Sequence, residues 1–289
     1  MAPSVPPVFV QFPHPGKEHN PGTAIRQPWN TGEHRRKFLR SDGRYVDGNG
    51  ASYAAPLVFW GEWEAPSYVI GERWLAAGSL PRYLHDPVWE YPKNSGPRQN
   101  TDPWVFGDCF RYSNCKQQSQ TALRKLARGS LILFGSTLDG AFVADTVFVV
   151  RESQPFRPAQ RLDDDDAFRN CTIQSLLTGA RCSGDEFILY RGATYGAQVY
   201  GMYSFVPCRR EDGDEPRFCR PTISLPACYL NPASTQSPSG AKVPRSVAEI
   251  CRLWERIRQQ VLNACCLLGV SFSTPRLDDD RTIRLSQAG

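Results

Sequence analysis

The 24 prolines and 23 glycines, spread along 289 residues, restrict the folds open to this chain more than any other feature. Each proline removes a backbone hydrogen-bond donor, and each glycine permits turns that other residues avoid. We therefore expect many short strands, long ordered loops and few uninterrupted helices. Hydrophobic residues make up 40% of the chain, which is enough for a substantial core. The sequence predicts one elaborated α+β domain over residues 1–289.

Short apolar runs bounded by Pro, Gly or Asp predict the strands. We expect residues 5–150 to form a mixed core that carries the site, and residues 170–270 to add strands and a helix that packs on it. Predicted strands cover residues 8–12, 57–60, 67–70, 131–134, 141–150, 187–190 and 199–206.

Helical patterns are fewer. Residues 119–128 suit a helix, and the basic segment 33–40 suits a short helical stretch, whereas the proline-rich residues 76–103 are expected to be irregular. Residues 246–268 show apolar side chains at steps of three and four, typical of a buried helical stripe. Ser246 and Glu249 form a capping box at its start.

One block resembles a known superfamily. Residues 122–150 combine a helix that ends in glycine, an apolar strand, a glycine turn and a second apolar strand. The residues that carry the pattern are Leu126, Gly129, Ser130, Leu131, Ile132, Leu133, Phe134, Gly135, Gly140 and Val147. This resembles the PUA-like superfamily, which includes the ASCH, EVE and YTH domains, although Ser130 stands where many members carry Asp. The resemblance implies a β-barrel-like core that binds RNA or modified bases.

The segment 60–64, Trp-Gly-Glu-Trp-Glu, is the densest in chemistry-bearing residues. It is similar to segments of the nucleotide-modification-associated domains of bacterial and phage conflict systems. In a strand, Glu62 and Glu64 share one face with their carboxylates about 7 Å apart, where they can bind a metal, exchange protons or contact a base edge. Trp60 and Trp63 offer rings on which bases stack. The alternative is a strand end whose tryptophans enter the core.

His34, Arg35, Arg36 and Lys37 form the strongest cationic cluster of the sequence. Guanidinium groups match phosphate oxygens, so the cluster is expected to bind the backbone of a nucleic acid or the phosphates of a nucleotide. The alternative is a solvated surface paired with nearby carboxylates. His14 and His19, in a constrained loop, could form a metal or acid–base site, or only bond to backbone.

A second dense segment covers residues 104–117. Trp104 and Tyr112 offer stacking surfaces, and Asn114 and Gln117 carry amides that can read a base edge. Asp108 is a candidate catalytic carboxylate. Another residue of this segment, a cysteine followed by a lysine at 115–116, could be an activated thiol, but it has no histidine near it in sequence.

Composition limits the compartment and the partners. The ten cysteines show no CxxC pair, and no apolar run reaches the length of a membrane span, so we expect reduced thiols and a cytoplasmic protein without a membrane partner. The net charge of +5 permits an anionic partner without demanding one. We assign no cofactor and no metal ligand from the sequence, and leave the oligomeric state open.

Three functions follow in order of preference. The first is a protein that binds a nucleic acid or modified nucleotide through an aromatic pocket and the basic cluster. The second is a metal-dependent or acid–base enzyme acting on nucleotides or nucleic acid, with Glu62, Glu64 and Asp108 as catalytic residues. The third is a protein-interaction module whose aromatic segments are covered by another chain.

Overall fold

The protein is described here by a computed structural model that covers residues 5–72, 83–91, 98–160, 162, 165–177, 185–211, 220–235 and 237–278. Strands account for 41% and helices for 14%, which confirms the α+β class, and the described strands form no closed barrel. None of the described helices is long and apolar enough to cross a membrane.

The strands are numbered along the chain. They are β1 (Phe9–Pro13), β2 (Arg26–Gln27), β3 (Arg36–Val46), β4 (Ser52–Glu62), β5 (Ser67–Glu72), β6 (Tyr83–Trp89), β7 (Arg111–Tyr112), β8 (Leu131–Leu138), β9 (Ala141–Phe156), β10 (Phe187–Gly192), β11 (Val206–Arg210), β12 (Leu267–Phe272) and β13 (Arg276–Leu277).

The described helices are short, with one exception. A 3₁₀ helix covers Thr121–Lys125, and a π-helical turn at Arg169–Ile173 separates α1 (Asp166–Phe168) from α2 (Gln174–Leu177). The long helix is α3 (Val247–Asn263).

Two sheets contain these strands. The five-stranded sheet has the order β1-β8-β9-β10-β7, with β1 parallel to β8. The eight-stranded sheet follows the path β12-β11-β4-β3-β6-β5-β2, with β13 added on β6, and β12 also pairs with β3. The first sheet joins β1 to strands more than 100 residues later, and the second joins β3 to β12 near the end of the described chain, so each sheet combines distant parts of the sequence.

Side chains on the two faces of β8 enter two different hydrophobic cores. Ile132 and Phe134 lie in one core, whereas Leu131 and Leu133 lie in the other. The same alternation occurs in β4, where Phe59 belongs to the first core. Successive side chains of a strand point to opposite faces, so an uninterrupted apolar run indicates a strand that is covered on both faces. This explains why the strongest apolar runs were recognisable in the sequence.

Most predicted strands are confirmed. The apolar runs at 8–12, 57–60, 67–70, 131–134, 141–150 and 187–190 all fall on strands. The expectation that strands would be short is wrong for β3, β4 and β9, which have 11, 11 and 16 residues. The run at 199–206 is only partly a strand, because β11 begins at Val206 and the residues before it form isolated bridges.

The helix predictions needed more correction. Residues 33–40 are not helical, because from Arg36 onward they pair with β4 along its length. Residues 119–128 form one 3₁₀ helix instead of a longer α-helix. The C-terminal helix ends at Asn263: of the apolar residues counted in the stripe after it, Cys265 lies in a turn and Leu268 belongs to β12. The described part of the irregular segment 76–103 contains β6.

The capping box at the start of α3 gives a direct test of the fold. Ser246 Oγ accepts a hydrogen bond from the backbone N–H of Glu249 at 3.2 Å. Substitution Ser246→Ala leaves that N–H without its side-chain acceptor and should lower the free energy of unfolding by about 1 kcal/mol. Urea denaturation measures the change. The exposed Ser237→Ala is the control, and an equal effect of both substitutions would contradict the capping role.

Candidate active site

Four side chains that are far apart in sequence meet at one end of the β3–β4 pair. His14 follows β1, His34 precedes β3, Glu62 ends β4, and Glu64 lies two residues beyond it. The antiparallel register places Glu62 opposite Arg36, so the chain entering β3 and the chain leaving β4 are neighbours. The strand pairing therefore brings the carboxylates and imidazoles together.

The carboxylate of Glu62 is buried and has three partners. Its Oε2 lies 2.7 Å from His14 Nδ1 and accepts a hydrogen bond from Arg36 Nη1 at 2.9 Å. Its Oε1 lies 3.2 Å from His34 Nδ1. Burial by itself would raise the pKa of Glu62, but the two imidazoles and the guanidinium hold it well below its usual value. Glu62 is therefore ionised at neutral pH.

Glu64 is oriented in a similar way. Its Oε1 lies 2.9 Å from His34 Nδ1, and its Oε2 accepts a hydrogen bond from Asn30 Nδ2. The backbone N–H of Glu64 donates to Thr101 Oγ1 at 3.0 Å. Each carboxylate thus has one oxygen held by other groups of the protein and one oxygen turned toward His34.

The two imidazoles respond differently to their surroundings. Burial lowers the pKa of His14 despite its contact with Glu62, so this ring is neutral at neutral pH. Burial also opposes the charge of His34, but hydrogen bonds to Glu62 and Glu64 outweigh it and raise the pKa of His34 to about 10. In the protein without ligand, His34 is the cation between two carboxylates.

A cleft of about 710 Å³ gives access to these groups. Its walls are the loop 14–18, the segment 33–35, the β8–β9 turn at 137–139 and Thr235. His14 and His34 both line it, and the side chain of His34 is 29% exposed. The volume lies within the range of pockets that hold a small molecule. The imidazoles therefore separate the cleft from the carboxylates behind them.

A buried ionic chain supports the site from below. Asp145 of β9 contacts Arg36 Nε at 3.0 Å and accepts two hydrogen bonds of 2.7 Å from Arg220. Arg220 also donates to Ser136 and, at 3.2 Å, to the carbonyl of Gly16. Asp145 thus holds both Arg36, which contacts Glu62, and Arg220, which contacts the loop 14–18. It therefore connects the position of Glu62 to the position of that loop.

The thiol of Cys115 lies behind His14. Its Sγ is 3.6 Å from His14 Nε2, so Cys115, His14 and Glu62 form a line of contacts. The turn that presents Cys115 is held by Asp102, whose carboxylate accepts N–H bonds from Ser113, Asn114 and Cys115. Burial raises the pKa of the Cys115 thiol well above its usual value, so the sulfur is protonated and not an activated nucleophile.

The predicted stacking rings are in the core. Trp60, Trp63, Trp104 and Tyr112 are between 0% and 3% exposed, and they pack against other apolar side chains. Trp63 and Trp104, for example, are neighbours with ring centroids 5.8 Å apart. The expected aromatic pocket is therefore not formed by these rings, and the alternative interpretation of the tryptophans as core residues is correct. The physical reason is that Trp60 lies on β4, which is covered on both faces, and that Trp63, Trp104 and Tyr112 pack into one of the two hydrophobic cores.

The basic cluster does not form one cationic surface. Since residues 36 and 37 begin a strand, their side chains point in opposite directions, and both are buried. Arg36 contacts Glu62 and Asp145, as described above. Lys37 Nζ donates to Ser67 Oγ at 3.0 Å. Arg35 lines the cleft and pairs with Glu33, so only Arg35 and His34 of the cluster face a ligand space.

The remaining candidates are not part of the site. Asp108 is exposed and lines a separate cavity beside β12, so it does not join Glu62 and Glu64. The amide of Asn114 is bonded to Asn100 and Ser113. The Gln117 side chain donates to and accepts from the backbone of Ile188, which fixes this amide in the fold.

Sequence reasoning missed the supporting residues. Asp145 could have been found, because it is a carboxylate inside the otherwise apolar run 141–150. Nothing in the sequence around Arg220 or Asn30 indicates a role in the site. The contact between Cys115 and His14 joins residues 101 positions apart, which no local pattern reveals.

In comparisons with protein-family models, curated proteins and solved structures, the chain matches none of them. The function is therefore inferred from the chemistry of the site itself.

Buried Lys37 predicts a pH dependence of stability. Burial lowers the pKa of Lys37 from 10.5 to about 8, although the attraction of Glu64 acts in the opposite direction. His19 and His85 lie close enough to Lys37 to interact with its charge. Between pH 8 and 10.5 the unfolded chain binds more protons than the folded one at this position, so folding stability rises with pH.

Substitution Lys37→Met should abolish that rise. The wild-type protein should gain up to about 3 kcal/mol relative to the variant as pH increases from 8 to 10.5, since each pKa unit corresponds to about 1.4 kcal/mol. Urea denaturation at several pH values measures the difference. The exposed Lys125→Met serves as control, and a difference that does not change with pH would contradict the assignment.

Proposed function

We propose that this chain is an enzyme that acts on a nucleotide or nucleic acid held in the cleft, with Glu62 and Glu64 as catalytic carboxylates. The observation that carries the proposal is the placement of two buried carboxylates directly behind His14 and His34, the two imidazoles that line the cleft.

The concentration of buried charge favours catalysis over passive binding. Removing several ionised groups from water is costly, and a hydrophobic replacement is often as stable as a buried ion pair. Such clusters with strongly shifted pKa values occur most often in clefts where chemistry takes place. Glu62 and His34 both have this property and both belong to the cleft end.

The substrate class is proposed from the mouth of the cleft and from the sequence. Lys17 and Arg35 line the cleft and can contact an anionic group, although the carboxylates of Glu18, Glu33 and Asp139 also line it and Glu33 pairs with Arg35. The similarity of segment 60–64 to nucleotide-modification-associated domains points to a nucleotide as the class of substrate. A nucleotide also fits a cavity of this size.

The binding-module function is less well supported by the geometry. It depended on stacking rings and on a phosphate-binding surface, and both sets of side chains are largely buried. The PUA-like barrel stays a prediction from the block 122–150. The interaction-module function has no described surface that favours it. A cytoplasmic location also stays a prediction from composition.

Turnover by variants tests the proposal. Wild-type protein is incubated with nucleoside triphosphates and with short DNA and RNA strands in the presence of divalent ions, and products are separated chromatographically. Glu62→Gln and, independently, Glu64→Gln should lower kcat at least about 100-fold, the usual size of the effect of a lost catalytic group.

The control is Asp108→Asn, which changes an exposed carboxylate outside the cleft and should keep wild-type turnover. Circular dichroism and thermal melting confirm that each variant is folded. The proposal is wrong if the wild type converts none of these substrates, or if the folded Glu62→Gln and Glu64→Gln variants are as active as Asp108→Asn.

A further inference from the structure

We propose that His34, Glu62 and Glu64 bind one divalent first-row transition-metal ion at the closed end of the cleft. The inference deepens the proposed function and rests on it for the role of the ion in catalysis. The ion binding itself depends only on the arrangement of these three side chains. The sequence had raised metal binding as one of several possibilities for Glu62 and Glu64, without assigning a ligand set.

The donor atoms already have the spacing of a coordination sphere. One ligand atom from each of the three residues lies within 4.8 Å of the other two. His34 Nδ1 is 3.2 Å from Glu62 Oε1 and 2.9 Å from Glu64 Oε1. Ligands that bind one ion at 2.0–2.2 Å are about 2.8–3.6 Å apart, depending on whether the geometry is octahedral or tetrahedral. Both measured distances fall in this interval.

The carboxylates are held as single-oxygen ligands. The oxygens that do not face His34 are taken by other groups: Arg36 and His14 contact Glu62 Oε2, and Asn30 donates to Glu64 Oε2. Groups that orient the ligands of a metal in this manner are typical of protein metal sites. An ion pair that served only stability would need one glutamate beside His34, whereas here two glutamates are held against it.

The cleft provides entry and leaves coordination positions open. Two carboxylates and one imidazole supply three ligands, and a catalytic ion keeps at least one further position for water or substrate. Because His34 lines the cleft, that open position is adjacent to the space where a substrate binds. His34 would thus be both a ligand of the ion and part of the cleft wall.

The donor set indicates the class of ion. An imidazole nitrogen with carboxylate oxygens suits Zn²⁺, Mn²⁺, Fe²⁺ or Co²⁺. Ca²⁺ requires six to eight oxygen ligands, and Mg²⁺ is bound mainly by oxygens and waters.

The experiment measures binding without any substrate. Full-length protein is dialysed against a chelator and then titrated with Co²⁺, whose visible absorption reports protein ligands, and with Zn²⁺ and Mn²⁺ by calorimetry. We expect one ion per chain. His34→Ala and Glu64→Gln should weaken binding at least tenfold, whereas Asp108→Asn should bind as the wild type does.

His34 is half-buried and lies in the loop before β3, so the His34→Ala variant tests the site without disturbing the core. The inference is overturned if the wild type binds no ion, or if His34→Ala and Asp108→Asn bind equally well. Ion binding without nucleotide turnover would support the metal site and remove the proposed substrate class. Turnover at the full rate by chelator-treated protein that binds no ion would contradict the metal site but still support the proposed enzyme.

Discussion

The ionic chain that runs from Glu62 through Arg36 to Asp145 and Arg220 is the interaction on which the rest of the site depends. Glu62 lies on β4, Arg36 on β3 and Asp145 on β9, while Arg220 lies outside the strands. The ionic chain therefore joins the two sheets through charge as well as through apolar packing. A buried ion pair contributes little net stability but is very costly to break on one side. This ionic chain therefore specifies one relative position of the sheets and, with it, one position of the carboxylates proposed to be catalytic.

This arrangement explains why the charged residues of the sequence did not form the expected surface. The protein uses its most basic segment to neutralise buried carboxylates, and the tryptophans that the structure describes fill two cores. A cation that faces solvent and a cation that faces a buried glutamate look identical in sequence. Only the strand pairing of β3 with β4, which sets Arg36 opposite Glu62, distinguishes them.

Part of the fold and of the site could be predicted from the sequence. Apolar runs such as 131–134 identify strands because a strand covered on both faces needs no polar positions, and Glu62 and Glu64 stood out because two carboxylates beside tryptophans are rarely placed by packing alone. The end of α3 could not be placed, since Leu268 continues the helical periodicity while belonging to β12. The partnership of Arg220 with Asp145 depends on tertiary packing across 75 positions and leaves no local signal.

The position of β12 has a consequence for synthesis. This strand pairs with β3 and with β11, both of which leave the ribosome earlier, and it covers the end of β3 opposite the site. Until residue 272 has been made, β3 presents an unpaired edge to other chains, and an exposed edge of this kind promotes association between chains. Nascent chains are thus vulnerable over most of their elongation, and a premature stop codon just before β12 would leave this edge unpaired in a fragment that retains every residue of the proposed catalytic centre.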